Sequence, residues 1–298
     1  MEKMNVSIVI PCYNTRDLIL KNLPVIIAAA KNEANRIIEI ILVDDGSPDD
    51  SAQVVKDNFP EIRLIRHRIN RGFSCAVNTG ARMAKGDLVV LLNTDVLPSK
   101  DFLVRVLPHF EKDNVFAVSL HEEGYSWAKA DFANGYLNFG QGEATLVAHP
   151  SFWANGGSAA FRRSWWIKLG GMDEKVFSPL YWEDIDLCYR AAKRGLKILW
   201  EPGAYVTHKH ESTVSRLSKS YVQRIRERNE ILFIWKNIAS RGLMRKHFAA
   251  LARRTLGHPG YLRVVFMAAL KLPVVLKARK KEIHEAKLSD EAIFEKFK

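Results

Sequence analysis

The sequence is poor in cysteine and has no long uninterrupted apolar run. Its three cysteines, Cys12, Cys75 and Cys188, are odd in number and far apart, and their spacing matches neither a disulfide framework nor a metal site. This usage indicates a reducing compartment. No run of about 18 apolar residues occurs, so we expect no transmembrane helix. Strand-like residues begin at Val6, so we expect no signal peptide.

A glycine-rich phosphate turn is also missing where a dinucleotide-binding enzyme would have one. The first predicted strand, Val6–Ile10, is rich in β-branched residues and is closed by Pro11. The residues that follow, Pro11–Asn14, contain no glycine, whereas the dinucleotide-binding turn requires several. This absence disfavours a nucleotide-dependent oxidoreductase.

The excess of positive over negative charge is confined to the last quarter of the chain. The 298 residues carry a formal net charge of +12. Residues 1–215 contain 25 Lys and Arg against 26 Asp and Glu, whereas residues 216–298 contain 20 against 7. This asymmetry predicts a near-neutral body, 1–215, and a basic helical C-terminal extension, 216–298. The natural partners of such an extension are phosphates on a membrane face or a nucleic acid.

Strands and helices are predicted to alternate through the first hundred residues. The predicted strands are Val6–Ile10, Ile37–Val43, Ile62–Ile65 and Leu88–Leu92, and the helices are Leu18–Lys31 with Asp17 as N-cap, Ser51–Phe59 and a segment through Ala76 and Ala81. Such alternation favours parallel strands joined by crossover helices. The expected fold class is α/β, with a mostly parallel sheet flanked by helices.

Carboxylates follow the predicted strands at their carboxyl ends. Asp44 and Asp45 follow the second strand, and Asp95 follows the run Leu88–Leu92. Ligands of open α/β sheets bind beyond this edge, and carboxylate oxygens suit divalent cations. The alternative to a ligand site is that Asn93–Asp95 caps the next helix. Three placements on one edge favour a nucleotide-phosphate site over capping.

Two later stretches have both structural and functional interpretations. Residues 121–150 carry Trp127, Phe132, Tyr136 and Phe139 among glycines and polar residues, and we expect a long loop. Packing beneath that loop is slightly favoured over a sugar-stacking wall. A helix opens with Trp182–Asp186, whose acidic residues also suit a helix N-terminus. Lys197–Trp200 and Tyr205–His210 are predicted as separate strands, and a lone histidine on a strand is usually structural.

Six motifs occur together in a fixed order. They are Ser7–Asn14, Asp44–Ser47, Asn70–Phe73 with Asn78, Asn93–Asp95, Trp182–Asp186 and Val206–His208. With these motifs the chain, from about Asn5 to Ser212, resembles family 2 glycosyltransferases of the GT-A fold. It is most similar to the rhamnosyltransferase-like branch that builds bacterial surface polysaccharides. The resemblance implies a nucleotide-sugar half over about 1–100 and an acceptor half over about 101–215.

The resemblance implies a donor site along the carboxyl edge of the sheet. Tyr13 and Asp45 would hold the base and ribose of a UDP- or dTDP-linked sugar, with rhamnose as one candidate. The other implied donor-binding residues are Pro11, Asn14, Gly72, Asn78, Asn93, Thr94 and Asp95.

The resemblance also implies a divalent cation, Mg²⁺ or Mn²⁺, at this site. Asp95 would be the last carboxylate of an Asp-x-Asp motif, and His208 would be a second protein ligand, with His210 as the fallback. Asn93 stands at the first carboxylate of the motif and brings an amide oxygen without charge. The cation would act as a Lewis acid that stabilises the leaving diphosphate.

Asp184 is implied as the catalytic base, with Trp182 and Glu183 contacting the acceptor. Inverting transfer needs one base near the acceptor hydroxyl, on the face opposite the leaving group. Two adjacent carboxylates would raise one another's pKa, which suits a base. A non-catalytic nucleotide-sugar-binding scaffold at the membrane is the alternative. The joint presence of Asp95, Glu183, Asp184 and His208 speaks against it.

The basic extension has two open interpretations. Met244, Phe248 and Leu251 fall on one helical face with cations opposite, and the apolar segment Tyr261–Leu272 precedes the basic cluster Lys277–Lys281. Such helices lie in a membrane interface, and the alternative is packing of the apolar face on the body. We expect no nucleic acid partner, because no reading motif is present. The expected enzyme is cytoplasmic and peripheral on the inner face of the plasma membrane, acting on a glycan or lipid-linked acceptor.

Overall fold

The computed structural model describes residues 3–209 and 217–297. The strands are β1 (Val6–Cys12), β2 (Ile37–Asp44), β3 (Arg63–Arg66), β4 (Leu88–Leu92), β5 (Val96–Pro98), β6 (Val115–Glu122), β7 (Ala128–Ala133), β8 (Tyr136–Gln141), β9 (His149–Pro150), β10 (Ser158–Arg162) and β11 (Lys197–His208). The helices are α1 (Arg16–Ala30), α2 (Ser51–Asn58), α3 (Phe73–Met83), α4 (Arg163–Leu169), α5 (Glu183–Lys193), α6 (Lys219–Asn237), α7 (Arg241–Gly257), α8 (Leu262–Ala269), α9 (Leu272–His284) and α10 (Asp290–Phe294).

Nine of the strands in the described residues form one sheet. Its order is β3-β2-β1-β4-β10-β6-β11-β5, with β9 paired to β11. The pairings among β1 to β4 are all parallel, and α1, α2 and α3 connect these strands. β10 runs antiparallel to both β4 and β6, whereas β6 and β11 are parallel. The predicted α/β class is confirmed, and the sheet is mixed rather than parallel beyond β4.

Apolar clusters cover both faces of the sheet. Ile8 and Ile10 face the side where Leu23 of α1 packs, whereas Val9 faces the side where Val77 of α3 packs. Successive strand residues point to opposite faces, so a strand covered by helices on both sides is apolar almost throughout. This burial explains the nearly continuous apolar runs that made the first four strands predictable.

The predicted loop at 121–150 is wrong, because a hairpin occupies its centre. β7 and β8 pair antiparallel over six residues each. The turn between them is Asn134–Gly135, where both residues have positive φ, 53° and 84°. An Asn-Gly pair of this kind closes two-residue hairpins, since its backbone matches the twist of the strands. Phe132, Tyr136 and Phe139 therefore belong to a small two-stranded sheet, and Trp127 directly precedes it.

Two boundaries near the first strand also differ from the prediction. β1 continues through Pro11 to Cys12. Pro11 is tolerated there because β4 pairs with β1 only as far as Val9, so no strand on that side requires its missing N–H. α1 begins at Arg16 with Thr15 as N-cap residue, and Asp17 lies in its first turn instead of capping it.

The two strands predicted around residue 200 are a single strand, β11. A register shift against β6 between Glu201 and Tyr205 absorbs Pro202 and Gly203. Such a bulge re-aims the residues beyond it. The end of β11 then pairs with β5 and carries His208 to the edge of the sheet.

The C-terminal helices share a core with the body. Phe294 of α10 stacks on Phe152, with ring centroids 5.8 Å apart. Phe233 of α6 lies 5.3 Å from the ring of Trp182, just before α5. Packing of the extension on the body, one of its two predicted alternatives, is therefore present for α6 and α10.

Among the described helices, none alone has the length and apolar character to cross a membrane. One pair, Pro259–Ala269 and Leu272–His284, meets those criteria only when taken together, and it is bent by 65°.

Candidate active site

The loops that follow β1 and β2 are tied together at the carboxyl edge of the sheet. Asn14 donates its backbone N–H to Ser47 Oγ over 2.9 Å, and the N–H of Ser47 donates to Asp44 Oδ1 over 3.1 Å. Asn14 has φ 56°, a left-handed conformation that asparagine tolerates. Pro11 and Tyr13 are half-buried at the end of β1. The predicted donor residues after β1 thus adjoin the loop after β2.

Asp45 organises the turn that opens α3. Its carboxylate accepts hydrogen bonds from the backbone N–H groups of Arg71, at 3.0 Å, and Gly72, at 2.7 Å. His67 Nδ1 lies 2.6 Å from the same carboxylate. Gly72 has φ 88°, which favours glycine. Asp45 therefore holds the predicted donor loop in place, and both of its carboxylate oxygens accept hydrogen bonds from groups of the protein.

Asn78 is a buried link between α3 and the segment that precedes α5. Its amide donates to the carbonyl of Met172 at 2.8 Å and to Glu174 Oε1 at 2.9 Å. Its Oδ1 accepts from Trp166 Nε1 at 3.2 Å and from the N–H of Met172 at 3.0 Å. The side chain is 1% exposed. This geometry leaves no amide atom for a donor and gives Asn78 a positioning role.

Asp95 and His208 are in contact although they are far apart in sequence. The antiparallel pairing of β5 with β11 sets His208 opposite Val96. His208 Nε2 lies 3.3 Å from Asp95 Oδ1, and its Nδ1 lies 3.2 Å from Glu122 Oε2. The structure thus brings the predicted pair together and adds Glu122, which sequence reasoning missed. The available signal was the apolar run before it, Val115–Leu120, which ends in two carboxylates.

The loop that carries Asp95 is anchored and leaves one carboxylate oxygen for a ligand. The carbonyl of buried Thr94 accepts a hydrogen bond from Asn22 Nδ2 at 2.8 Å. Asp95 Oδ2 is buried and has no hydrogen-bond partner among the described residues. A carboxylate oxygen beside an imidazole nitrogen suits Mn²⁺ or a related ion. In residues 3–209 and 217–297, no group of three or more His, Cys, Asp or Glu side chains is arranged to hold a metal.

The surroundings of His208 favour positive charge. Burial lowers the pKa of His208, but the hydrogen bonds and negative charges of Asp95 and Glu122 outweigh it and raise the pKa above the usual histidine value. A cation between the same groups would satisfy the same carboxylates. His210, the predicted fallback ligand, lies outside the described residues.

A glycine pair joins the Asp95 loop to Asp184. The N–H of Gly156 donates to Asp184 Oδ2 at 3.0 Å. The side chain of Asn93 lies against Gly157, where an added Cβ would come within 2.3 Å of Asn93 Nδ2. Only a residue without a side chain allows this close approach. Two adjacent glycines therefore link the segment of Asn93 to the carboxylate of Asp184.

The two carboxylates that open α5 have raised pKa values. Burial raises the pKa of Glu183 to about 8, and the negative charge of Asp184 adds to the rise. Burial also raises the pKa of Asp184, against hydrogen bonds from the N–H groups of Gly156 and Ile185. A raised pKa brings a carboxylate toward the range in which a general base works near neutral pH.

Trp182 is buried rather than open to solvent. It is 8% exposed, and its ring lies 5.1 Å from that of Phe139. Tyr181 and Trp182 have φ values of 69° and 78°, a strained backbone that needs external support. Asn229 of α6 supplies it, because its Nδ2 donates to three carbonyls within 177–181. Asn229 is a second residue that sequence reasoning missed.

Comparison with known proteins identifies the family. The family model described as glycosyl transferase family 2 matches residues 7–170, more than half of the chain. The chain belongs to glycosyl transferase family 2. This membership confirms the predicted resemblance. The matched family region includes the loops after β1, β2 and β4 and the glycine pair, whereas Asp184 and His208 lie beyond it.

Curated family members show how much of this chain is shared. A pre-mycofactocin glycosyltransferase of Mycobacterium tuberculosis is 33% identical over 187 residues, covering 59% of this chain and 38% of that protein. An undecaprenyl-phosphate 4-deoxy-4-formamido-L-arabinose transferase of Pseudomonas savastanoi is 34% identical, covering 42% and 38%. An N-acetylglucosaminyl-diphospho-decaprenol L-rhamnosyltransferase of M. tuberculosis is 25% identical, covering 66% and 74%. The chain thus spans well under half the length of the first two relatives.

Two solved structures have the same fold. GalNAc-T7, crystallised with UDP, GalNAc and Mn²⁺, superposes with a TM-score of 0.71 at 16% identity, covering 99% of this chain and 56% of that one. The mannosyltransferase PcManGT of Pyrobaculum calidifontis, in complex with GDP-Man and Mn²⁺, gives 0.57 at 20% identity, covering 96% and 86%. At these identities the likeness shows the fold alone, and it confirms the predicted GT-A architecture.

Proposed function

We propose that this chain is an inverting glycosyltransferase that moves a sugar from a nucleotide-diphosphate donor to a hydroxyl of a glycan or lipid-linked acceptor. One observation carries the proposal. His208 contacts Asp95, and the glycine pair Gly156–Gly157 lies between Asp184, which accepts a hydrogen bond from Gly156, and Asn93, which packs against Gly157. Transfer by displacement at a sugar carbon needs the nucleotide donor on one side of the sugar and a base on the other. The carboxyl edge of the sheet suits the donor, and a carboxylate of raised pKa suits the base. The corresponding role is synthesis of cell-surface polysaccharide.

The donor is proposed to lie along the loops after β1, β2 and β4. Tyr13 is the proposed contact to the base and ribose, Pro11 and Asn14 are proposed donor-binding neighbours, and Asp45 shapes the loop through Gly72. UDP or dTDP is the proposed nucleotide, in keeping with the family resemblance. The family members whose names specify lipid-phosphate substrates favour a lipid-linked acceptor.

Mg²⁺ or Mn²⁺ is the proposed cofactor, held by Asp95 and His208. Such an ion supplies Lewis-acid stabilisation of the departing diphosphate when bound. The buried, unpartnered oxygen of Asp95 supports this assignment, and both solved neighbours contain Mn²⁺. Asn93 adds an amide oxygen without charge, so we expect weaker cation binding than an Asp-x-Asp pair would give.

Asp184 is the proposed base. Backbone N–H groups of Gly156 and Ile185 hold its two oxygens, at 3.0 and 2.8 Å, and so fix the carboxylate orientation. It accepts the proton of the acceptor hydroxyl as that oxygen attacks the anomeric carbon. The nucleoside diphosphate leaves from the opposite face with the bonding electron pair. Glu183 and Trp182 are the proposed acceptor-side neighbours.

Donor hydrolysis tests the proposal. With UDP- and dTDP-sugars and Mn²⁺, the wild-type chain should slowly release nucleoside diphosphate, and Asp95→Asn should slow that release. Nucleotide binding is followed independently as a rise in melting temperature, because ligands of the folded state stabilise it. A chain that binds nucleotide and never releases nucleoside diphosphate would be a scaffold, which contradicts the proposal.

We also propose peripheral contact of the C-terminal helices with the inner face of the plasma membrane. α8 buries Val264 and Ala268, whereas Leu262, Phe266 and Leu270 are 59%, 61% and 67% exposed. The exposed cations near this ridge are Arg263, Lys277, Lys280 and Lys281. An apolar ridge beside cations suits a surface of anionic lipid. In this proposal the C-terminal extension packs on the body with one face and contacts the membrane with another.

Vesicle sedimentation tests the membrane contact. The wild-type chain should sediment with phosphatidylglycerol vesicles, and the triple change of Leu262, Phe266 and Leu270 to serine should release most of it. Ile38→Ser, at a half-exposed position on β2, is the matched control and should sediment like wild type. Equal sedimentation of the triple variant would contradict the assignment.

A further inference from the structure

Two cations of the C-terminal extension contact the same short segment of the body, just before α5. Lys271 Nζ donates to the carbonyls of Lys175 and Val176 at 2.7 and 3.0 Å. Arg228 Nη2 donates to the carbonyl of Ser178 at 2.8 Å. The backbone of this segment therefore holds an ammonium and a guanidinium group close to each other.

The contacted segment, 175–181, lies between the proposed donor loop and the helix of the proposed base. A Cβ added to Gly72 would lie 3.5 Å from the carbonyl oxygen of Pro179 and 3.6 Å from Ser178 Oγ. The segment thus packs against the turn that opens α3, and α5 begins two residues after the segment ends. The two cations are therefore placed on a segment that borders both sides of the proposed site.

Neither cation has a carboxylate partner in the part of the chain that the structure describes. No ion pair joins Arg228 or Lys271 to an acid within residues 3–209 and 217–297. Asp173, whose negative charge acts on Lys271, is already bound by Lys236 Nζ at 2.7 Å. Carbonyl dipoles orient the two cations and leave their charge uncompensated.

The two cations also repel each other. Burial and the positive charge of Arg228 together lower the pKa of Lys271 to about 8, against the charge of Asp173. Burial lowers the pKa of Arg228, which is 7% exposed. Its Nε and Nη2 donate hydrogen bonds, whereas its Nη1 makes none within the described residues. An anion between the two groups would relieve the repulsion and accept charge-assisted hydrogen bonds.

The cations lie next to the surface that is proposed to meet the membrane. Lys271 directly follows Leu270, the last residue of the apolar ridge on α8, which is 67% exposed. Arg226 is exposed and lies over the ring of Tyr181, 4.1 Å from its centroid, so it adds a third positive charge along the segment. A lipid phosphate at a membrane surface that the ridge contacts would meet Lys271 first.

We propose that Arg228 and Lys271, with Arg226 at the edge, bind the phosphate or diphosphate group of a lipid-linked acceptor. The inference rests on the proposed function, which it deepens by naming what holds the acceptor. The diphosphate of the donor shares this chemistry. The position of Lys271 at the end of the exposed ridge favours the acceptor as the source.

Binding of a short prenyl diphosphate tests the site without requiring transfer. The wild-type chain, with saturating UDP and Mn²⁺ at the donor edge, is titrated in a calorimeter with geranyl diphosphate and with geraniol, which lacks the charge. The diphosphate should bind at least about tenfold more tightly, since it adds charge-assisted hydrogen bonds. Equal affinities for the two ligands would overturn the proposal.

Lysine variants locate the binding and separate it from a purely structural role. Lys271→Gln should weaken geranyl diphosphate about tenfold and leave geraniol unchanged, whereas Lys271→Arg keeps the charge and should stay within about threefold of wild type. Lys56→Gln removes the same charge from an exposed position on α2 and should change neither affinity. An unchanged diphosphate affinity in Lys271→Gln, or an equal loss for both ligands, would show that Lys271 only holds the backbone and would overturn the proposal.

The affinity for UDP distinguishes the two sources of the anion. An acceptor phosphate at this site predicts that Lys271→Gln leaves the UDP-induced rise in melting temperature unchanged. Weaker UDP binding with an unchanged affinity for geranyl diphosphate would assign the cations to the donor and overturn the acceptor assignment. Failure of the proposed function instead appears as a wild-type chain that releases no nucleoside diphosphate from any donor, and the titration remains readable in that case.

Discussion

Three acidic residues in the first turn of α5 lie in two different environments. Asp186 is fully buried, and its carboxylate meets Arg190 Nε at 2.7 Å, Lys236 Nζ at 2.9 Å and Asn237 Nδ2 at 2.8 Å. Lys236 and Asn237 belong to α6. The carboxylate therefore ties α5 to the extension through a network in which cations compensate its charge.

Glu183 and Asp184, on the same turn, have no such compensation. Asp184 accepts hydrogen bonds from backbone N–H groups. Glu183 Oε2 is buried and has no hydrogen-bond partner among the described residues. A buried carboxylate without a cation has a raised pKa, whereas a buried carboxylate with two cations is a structural brace. The three residues are all acidic and all lie in the first turn of α5. Their environments alone distinguish the proposed catalytic carboxylate from the structural one.

The largest expected effect tests the uncompensated side. Asp184→Asn should lower sugar transfer by about 10²–10⁴-fold, because it removes the proposed general base. Its amide oxygen still accepts a backbone hydrogen bond, so folding should persist. Nucleotide binding, measured as a rise in melting temperature, should survive. Transfer at the wild-type rate would remove Asp184 from the mechanism and break the comparison.

The same Asp-to-Asn change at Asp186, whose charge is compensated by cations, should lower stability instead of transfer activity. Asp186→Asn leaves Arg190 and Lys236 buried without their shared carboxylate, which should cost about 3–5 kcal/mol of unfolding free energy. Denaturant unfolding measures the loss. Transfer activity per folded molecule should fall far less than in Asp184→Asn. An unchanged unfolding midpoint would show that the network is not a brace.

The dependence of stability on pH sharpens the comparison further. The folded-state pKa of Glu183, about 8, lies above its unfolded value. The folded protein therefore binds the extra proton, and this stabilisation is complete below the unfolded pKa and is lost as pH rises toward 8. Melting temperatures from pH 5 to 8 should fall less steeply in Glu183→Gln than in wild type. Parallel curves would contradict the assignment.

The smallest expected effect concerns an exposed charge on α1. Asp17 forms an ion pair with Arg16 at 2.9 Å, and its side chain is 92% exposed. Such pairs contribute less than about 1 kcal/mol. Asp17→Ala should therefore shift the unfolding midpoint only slightly in a denaturant titration. A loss as large as that of Asp186→Asn would show that burial is not what separates the two acids.

Local patterns were sufficient to predict the order of strands and helices from β1 to β4. The apolar run Leu88–Leu92 forms β4 with the predicted boundaries, because a strand buried on both faces is apolar throughout and polar residues end it. The hairpin at 128–141 was missed although its Asn134–Gly135 turn is a local signal. Its strands are short and only half apolar, so their alternation was obscured by neighbouring glycines and polar residues.

The partners of the site residues were less accessible to prediction. Glu122 meets His208 only because β6 and β11 pair in register beside β5. Asn229 supports the segment before α5 from a helix about 50 residues later. No sequence pattern predicts either contact, since each depends on which elements become neighbours in space.

The sequence by itself determined the strand and helix alternation, the placement of Asp45 and Asp95 after strands, and the acidic opening of α5. Periodicity, turn residues and strand ends are local properties, and they can be read along the chain. Only the tertiary structure decided that Asp186 is bound by two cations, that Asp184 has no cation beside it among the described residues and that Glu122 lies against His208. Burial and charge compensation arise from distant residues brought together by packing, which no local pattern encodes.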